Sequence, residues 1–279
     1  ALHTPLNLST RLRFSAQRYD EAAFDAVTPV VALDTIAPWH RFARGALAGN
    51  FLHSQLEWLA DERFALNLSQ HLRDILLTRA AGQTFGTARP TDAQDVLDWL
   101  QELLSTRLPP LGCALQDVQN LLAEMEFWYP IGKVPSSAID SLCQQNLLSG
   151  ASRPALAQRD LDGLMMGFAD LVFEHEGRYW VLDYKSNSLG ASDEHYHHQA
   201  LQDAMAQHRY DVQAALYLLA LHRLLGERLG SVYDPAQHLG GAIYFFIRGF
   251  KGPSAGCYVV EADRDMLREL DAMFGDIAV

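Results

Sequence analysis

The stretch Gly167-Phe168-Ala169-Asp170-Leu171-Val172-Phe173, then Glu176-Gly177, then Tyr179-Trp180-Val181-Leu182-Asp183-Tyr184-Lys185-Ser186, constrains this chain more than any other. Two apolar strands flank a Glu-Gly pair, the pattern of a β-hairpin with a two-residue turn. A turn at Glu176-Gly177 sets Asp170 opposite Asp183. Directly opposed side chains stand about 4.5–5.5 Å apart at Cβ, and like charges there repel, so two carboxylates in an apolar hairpin are expected to share a cation. Side chains alternate along a strand, so Lys185 lies on the face of Asp183 and Tyr184 on the other. Two carboxylates and an ammonium are therefore expected to converge.

Charge and cysteine usage narrow the function classes. At 279 residues with 49% apolar content, the chain is long enough for one large domain with a sizeable core. A net charge of −12 argues against tight nucleic-acid binding through a broad basic surface, so any DNA contact is local or supplied by a partner. Cys113, Cys143 and Cys257 are scattered and odd in number, which points away from a disulfide framework or structural zinc and toward a reducing cytoplasm. No signal peptide or membrane-spanning run is expected. A start on Ala1 rather than Met is expected of a fragment.

The chain is expected to divide into a lead-in or tether (1–45) and one domain (46–279), the latter made of a helical part (46–123) and a core (124–279). Helical periodicity begins at Gly49 and runs through Leu52, Leu56 and Leu59 into Phe64, Leu68 and Leu72. Thr91-Asp92 predicts an N-cap for a helix ending before Pro109, and a short helix is expected over 114–123. Glu124 to Tyr129 alternates as a half-buried strand does, and Pro135 to Leu148 reads as a helix. After the hairpin, one long helix is expected over 195–228. Gly240 to Ile247 is an apolar run suited to a strand buried on both faces, Tyr258 to Val260 a further strand, and Asp263 the cap of a last helix. Helices followed by a strand cluster wrapped by helices define an α/β or α+β architecture.

Two carboxylates suit Mg²⁺ or Mn²⁺, which lower the pKa of a bound water, while a neighbouring ammonium stabilises charge building on a phosphate. A bare D-x-K is commonplace on surface strands, where it makes a weak ion pair. What sets this one apart is the apolar run leading into Asp183 and the hairpin register with Asp170. Gln213 and Tyr217 share one helix face at i and i+4. His195, His197 and His198 lie in a polar stretch without cysteine and read as a solvated loop or helix start rather than a zinc site. Phe245, Phe246, Tyr179 and Trp180 read as sheet core.

Gly49-x-x-Leu52-His53-Ser54, Glu126 on a strand, Gly167-Phe168-x-Asp170, Asp183-Tyr184-Lys185-Ser186 and Gln213-x-x-x-Tyr217 occur in the order found in the RecB-type branch of the PD-(D/E)xK nucleases, which the chain resembles. The likeness extends from Met166 to about Phe274, including Asn187, His208-Arg209-Tyr210-Asp211 and Gly240-Gly241; before Glu124 it is carried by Arg44-Gly45 and the His53 motif. The resemblance implies a restriction-endonuclease-like core, a mixed sheet flanked by helices, with a helical N-terminal part. It implies that His53, Asp170, Asp183 and the backbone carbonyl of Tyr184 bind a divalent ion, Mg²⁺ foremost, with Mn²⁺ or Ca²⁺ able to occupy the site. Asp170, Asp183, Lys185 and Glu126 would be catalytic, and Gln213 and Tyr217 would line the DNA channel or support the site.

The expected activity is that of a metal-dependent deoxyribonuclease, an exonuclease V-type exo- and endonuclease acting on unwound DNA in double-strand-break repair, recombination and degradation of foreign DNA. The resemblance further implies a helicase portion of the parent chain and RecC- and RecD-like subunits as partners. No G-x-x-x-x-G-K-[ST] phosphate loop is present, so no ATPase activity is expected of these residues. The alternative is a catalytically inactive nuclease-fold module that binds DNA or acts as a scaffold. A CRISPR-associated or phage nuclease of the same superfamily is a third reading, and the four-cysteine iron–sulfur cluster of several such relatives cannot be built from three cysteines.

Overall fold

The hairpin forms in the register its turn demands. Glu176 (φ 51°) and Gly177 (φ 77°) both have positive φ, the requirement of a type I′ turn whose twist matches the strands it joins. Pairing then runs from His175 opposite Arg178 to Leu171 opposite Leu182, and Asp170 and Asp183 occupy the next rung.

The computed structural model describes residues 11–13, 36–86 and 91–275. In chain order the described elements are β1 (Arg11–Arg13), α1 (Pro38–Arg41), α2 (Ala46–Asp61), α3 (Gln70–Ala80), α4 (Ala93–Ser105), β2 (Arg107–Leu108), β3 (Cys113–Ala114), β4 (Asn120–Pro135), α5 (Ser136–Asn146), β5 (Asp160–His175), β6 (Arg178–Lys185), α6 (His198–Gln207), α7 (Tyr210–Leu229), α8 (Pro235–His238), β7 (Leu239–Phe246), β8 (Cys257–Val260) and α9 (Arg264–Phe274). The lead-in assigned to 1–45 falls mostly outside the described residues. Its last part is packed, with Trp39 and Phe42 buried in the core.

The main sheet is mixed. β5 pairs antiparallel with β4 and β6, β6 runs parallel to β7, and β8 returns antiparallel to β7. Parallel strands need a long crossover, supplied here by α6, α7 and α8 between β6 and β7. Period-two alternation divides β6 between two cores. Val181 joins α5, α6, α7 and α9 on one face, while Leu182 and Tyr184 join α2, α3 and α4 on the other. β7 is buried on both faces along nearly its whole length, as its continuous apolar run predicts.

Three expectations need correction. The apolar series from Gly49 to Leu72 is two helices, not one, because Arg63 and Phe64 turn into positive φ, and Leu68 is left 90% exposed between them. The helix expected over 114–123 is a single short turn, after which β4 begins at Asn120. The long helix expected over 195–228 breaks at Arg209 (φ 55°), whose guanidinium bonds Asp140 and Asp211. Elsewhere the caps fall where expected, with Asp92 and Asp263 accepting backbone N–H bonds at the starts of α4 and α9. Among the described residues no helix is long and apolar enough to cross a membrane.

Candidate active site

Below Asp170 and Asp183 the ladder gives way to side chains. Asp170 Oδ2 accepts the backbone N–H of Tyr184 at 2.9 Å, so this carboxylate lies between the strand ends. Asp183 and Lys185 share a face, and Lys185 Nζ lies 2.6 Å from Asp183 Oδ2, with both side chains 4% exposed. Tyr184 turns its ring into the opposite core, leaving only its backbone at the site.

The floor under this pair comes from α7. Lys185 Nζ donates to Gln213 Oε1 at 3.1 Å, and Gln213 Nε2 donates to the Tyr217 hydroxyl at 2.7 Å. That hydroxyl lies 2.7 Å from the Phe168 carbonyl and 3.2 Å from Asp183 Oδ1, so its one proton is shared between them. The ammonium also lies 3.8 Å from the ring centroid of Tyr210 and 5.2 Å from that of Tyr244, a cation–π contact on each. Tyr217 is buried and Gln213 half-buried, and both bond the Asp183–Lys185 pair from α7.

The other side is supplied by α2. His53 Nδ1 lies 3.2 Å from Asp170 Oδ2, and the two side chains are 33% and 25% exposed. The site is therefore closed at Asp183 and Lys185 and open at His53 and Asp170. Gly49, His53 and Glu57 form an i, i+4, i+8 stripe on α2. This stripe crosses the strand ends: Gly49 abuts Ser186 after β6, His53 meets Asp170 on β5, and Glu57 meets Glu124 on β4.

Electrostatics sort the groups. Burial works against the His53 imidazolium, but the Asp170 carboxylate outweighs it and raises the imidazole above its ordinary value. Burial would lift Asp170; His53, Lys185 and the Tyr184 N–H together hold it below the usual carboxylate range. Asp183 is raised, by burial first and by Asp170 facing it, in spite of Lys185. Burial opposes charge on Lys185, yet Asp183 and Tyr210 keep the amine above its ordinary value.

Glu126 stands apart from this cluster. It is exposed and pairs with Phe168, two residues along β5 from Asp170. The β4 residue at the Asp170 rung is Glu124, in a left-handed conformation (φ 45°) between the pairs Ala123–Leu171 and Met125–Ala169. Burial raises the Glu57 carboxyl, and its hydrogen bond with Glu124 raises it further. Glu57 carried a readable signal, its i+4 spacing from His53. Glu124 carried none, because choosing between it and Glu126 requires the β4–β5 register.

The donor set suits a hard divalent ion: two carboxylates, an imidazole and a strand-end backbone. Asp183 Oδ2 is buried with the Lys185 ammonium 2.6 Å away, and a carboxylate oxygen with that one close partner retains lone-pair capacity. Among the described residues no three His, Cys, Asp or Glu side chains form a ready-made cage, since His53 is turned to Asp170 and Lys185 to Asp183.

Comparison with known proteins agrees with this geometry. Residues 33–276 match the family of the PD-(D/E)XK nuclease superfamily, and the chain belongs to it. Nucleases of this superfamily generally use divalent metal ions. The chain is 37% identical over 258 residues, 91% of its length, to the RecBCD enzyme subunit RecB of Escherichia coli (strain K12). It is 30% identical over 261 residues, 84% of its length, to the RecBCD enzyme subunit RecB of Mycolicibacterium smegmatis. The chain spans only 21% and 23% of the lengths of these two relatives.

Proposed function

We propose that this chain is a divalent-metal-dependent DNA nuclease module that hydrolyses phosphodiester bonds as part of a RecB-type helicase–nuclease, with RecC- and RecD-like subunits as partners. The observation that carries the reading is the convergence of Asp170, Asp183, Lys185 and His53 at strand ends that are closed on one side and open on the other. Asp170, Asp183, His53 and the Tyr184 carbonyl would hold the ion, Mg²⁺ in the cell. The ion supplies a water of lowered pKa and charge stabilisation at the phosphate.

The chain's own residues do the rest. Lys185 stays protonated beside Asp183 and directs its ammonium at the attacking water or at charge developing on the phosphate. Gln213, Tyr217, Tyr210 and Tyr244 hold that ammonium in one place. Of the two acids on β4, Glu124 is better placed than Glu126 to act near the ion. Unwound strands suit the site, because Phe168, 38% exposed two residues along β5 from Asp170, and Trp128, 51% exposed farther along β4 opposite Met166, offer unpaired bases a stacking surface.

A net charge of −12 implies weak binding to DNA by this module alone, with efficient cutting dependent on a tethered motor that raises the local strand concentration. Repair and recombination of broken DNA, in the cytoplasm, are the corresponding roles. The test is Mg²⁺-dependent cleavage of single-stranded DNA by the purified chain. Cleavage no greater than that of the Asp183→Ala variant overturns the reading in favour of an inactive nuclease-fold scaffold.

A further inference from the structure

Arg248 is 1% exposed and stands just past the end of β7. Its Nε donates to the Ser186 carbonyl at 2.8 Å. Its other nitrogens donate to the carbonyls of Trp39 (2.7 Å), Phe42 (3.1 Å) and Ala43 (2.6 Å). One guanidinium thus ties the segment that leads into α2 to the residue that follows Lys185. Three residues into α2, Gly49 approaches the same Ser186 so closely that a Cβ built on it would lie 2.8 Å from Ser186 Oγ. His53 follows Gly49 by about one helical turn and shares its face. Ser186 is therefore bonded by Arg248 at its carbonyl and closely approached by Gly49 at its side chain.

We infer that Arg248 and the Gly49–Ser186 contact are positioning elements for His53, setting how far α2 settles onto the strand ends and so where the imidazole stands against Asp170. This rests on the reading of His53 as a metal ligand. A lone His on a helix has no reason to be tied to a sheet over some two hundred residues of sequence; a ligand that must meet carboxylates from another layer does. Supporting contacts around a metal site alter affinity by about 10–100-fold when they are lost.

The steric form of the contact gives a test with a rescue. Ser186→Ala removes the Oγ, leaving the Ser186 Cβ 3.9 Å from a Cβ at position 49, an ordinary contact. Mn²⁺ is titrated by calorimetry, without DNA, into the full chain and its variants, and melting temperature is followed in parallel. Gly49→Ala is expected to weaken Mn²⁺ binding about 10-fold or more, although alanine is the better helix former. In the Ser186→Ala background the same change is expected to have less than a twofold effect. In a His53→Ala background neither Gly49→Ala nor Arg248→Lys is expected to weaken Mn²⁺ binding further.

A Gly49→Ala loss that persists in the Ser186→Ala background overturns the inference, as does an undiminished loss in the His53→Ala background. Unchanged Mn²⁺ binding in Gly49→Ala, where His53→Ala alone weakens it, overturns the inference and leaves the ligand reading standing. Unchanged binding in His53→Ala itself overturns both.

Discussion

The two halves of the candidate site are built by opposite means. On the α7 side, Asp183 and Lys185 are buried, paired with each other and braced by Gln213 and Tyr217. On the α2 side, His53 and Asp170 are partly open and meet through one contact, and their alignment depends on how a helix from another layer is seated. Charge buried in a low-dielectric site acts strongly and needs no reorganisation, which suits groups that stabilise a transition state. Groups that exchange ligands with water and phosphate must stay accessible. The closed half is thus costly to disturb and the open half is cheap, and that difference can be measured.

The largest expected effect is on the closed half. Asp183→Ala leaves a buried ammonium without its carboxylate, which is expected to cost about 3–5 kcal/mol of stability as well as activity. Lys185→Ala is expected to lower cleavage on the order of 10²–10³-fold. The double variant Asp183→Asn with Lys185→Met is expected to melt above Asp183→Ala while remaining inactive, because no unpaired charge is left inside. Melting curves of the three variants decide this, and a double variant no more stable than Asp183→Ala breaks the comparison.

His53→Ala comes next. The side chain is a third exposed, so removing its ion pair is expected to change stability by less than about 1 kcal/mol, while Mn²⁺ affinity falls about 10-fold or more. A melting temperature that falls as far as that of Asp183→Ala would show the two halves to be equally built in. A smaller contrast separates the acids of β4. Glu124→Gln is expected to reduce Mg²⁺-dependent cleavage about 10-fold, the scale of changes next to a metal. Glu126→Gln, opposite Phe168, is expected to change it less than twofold. The reverse ranking of cleavage rates would return the role to Glu126.

This contrast also explains what the sequence made legible. The closed half lies on a hairpin whose register follows from a two-residue turn, so Asp183 and Lys185, with Asp170 of the open half opposite, could be chosen from local spacing, whereas Gln213 and Tyr217, at i and i+4 on one helix face, were singled out by the family resemblance. The open half depends on pairings between distant segments. Glu124 meets the Asp170 rung only through β4–β5 pairing across a helix and a long loop, and the parity of Glu124 and Glu126 is the same along the strand. Breaks carried by residues other than glycine were equally hidden. Arg209 and Phe64 adopt positive φ with nothing in their residue type to announce it, so two helix pairs read as single helices. The stretch Val118 to Ala123, apolar except at Gln119 and Asn120, fits a strand as well as a helix, and length alone did not separate them.

The closed half has one dependence on pH that lies outside the chemistry. The start of α7, which carries Gln213 and Tyr217, is anchored by Arg209 Nη2 to Asp140 Oδ1 at 2.6 Å, and by Arg209 and Arg153 to Asp211. Burial would raise the Asp140 carboxyl, but hydrogen bonds from Gln144, Arg209 and the Leu156 N–H outweigh it and hold the carboxyl below its ordinary value. A carboxylate depressed in the folded state contributes stability that is fully present above its unfolded pKa of about 3.9. That contribution is lost as pH falls through the lower folded value. Asp140→Asn is therefore expected to lower the melting temperature at pH 7 by a few degrees, for a single pair whose side chains are each 11% exposed. The gap from the unsubstituted chain is expected to close as pH drops below about 4. Melting temperatures of the two proteins from pH 7 to pH 3 test this. A gap that stays constant to pH 3 would mean that Asp140 acts through packing, and that the charge network does not hold α7 beneath Lys185.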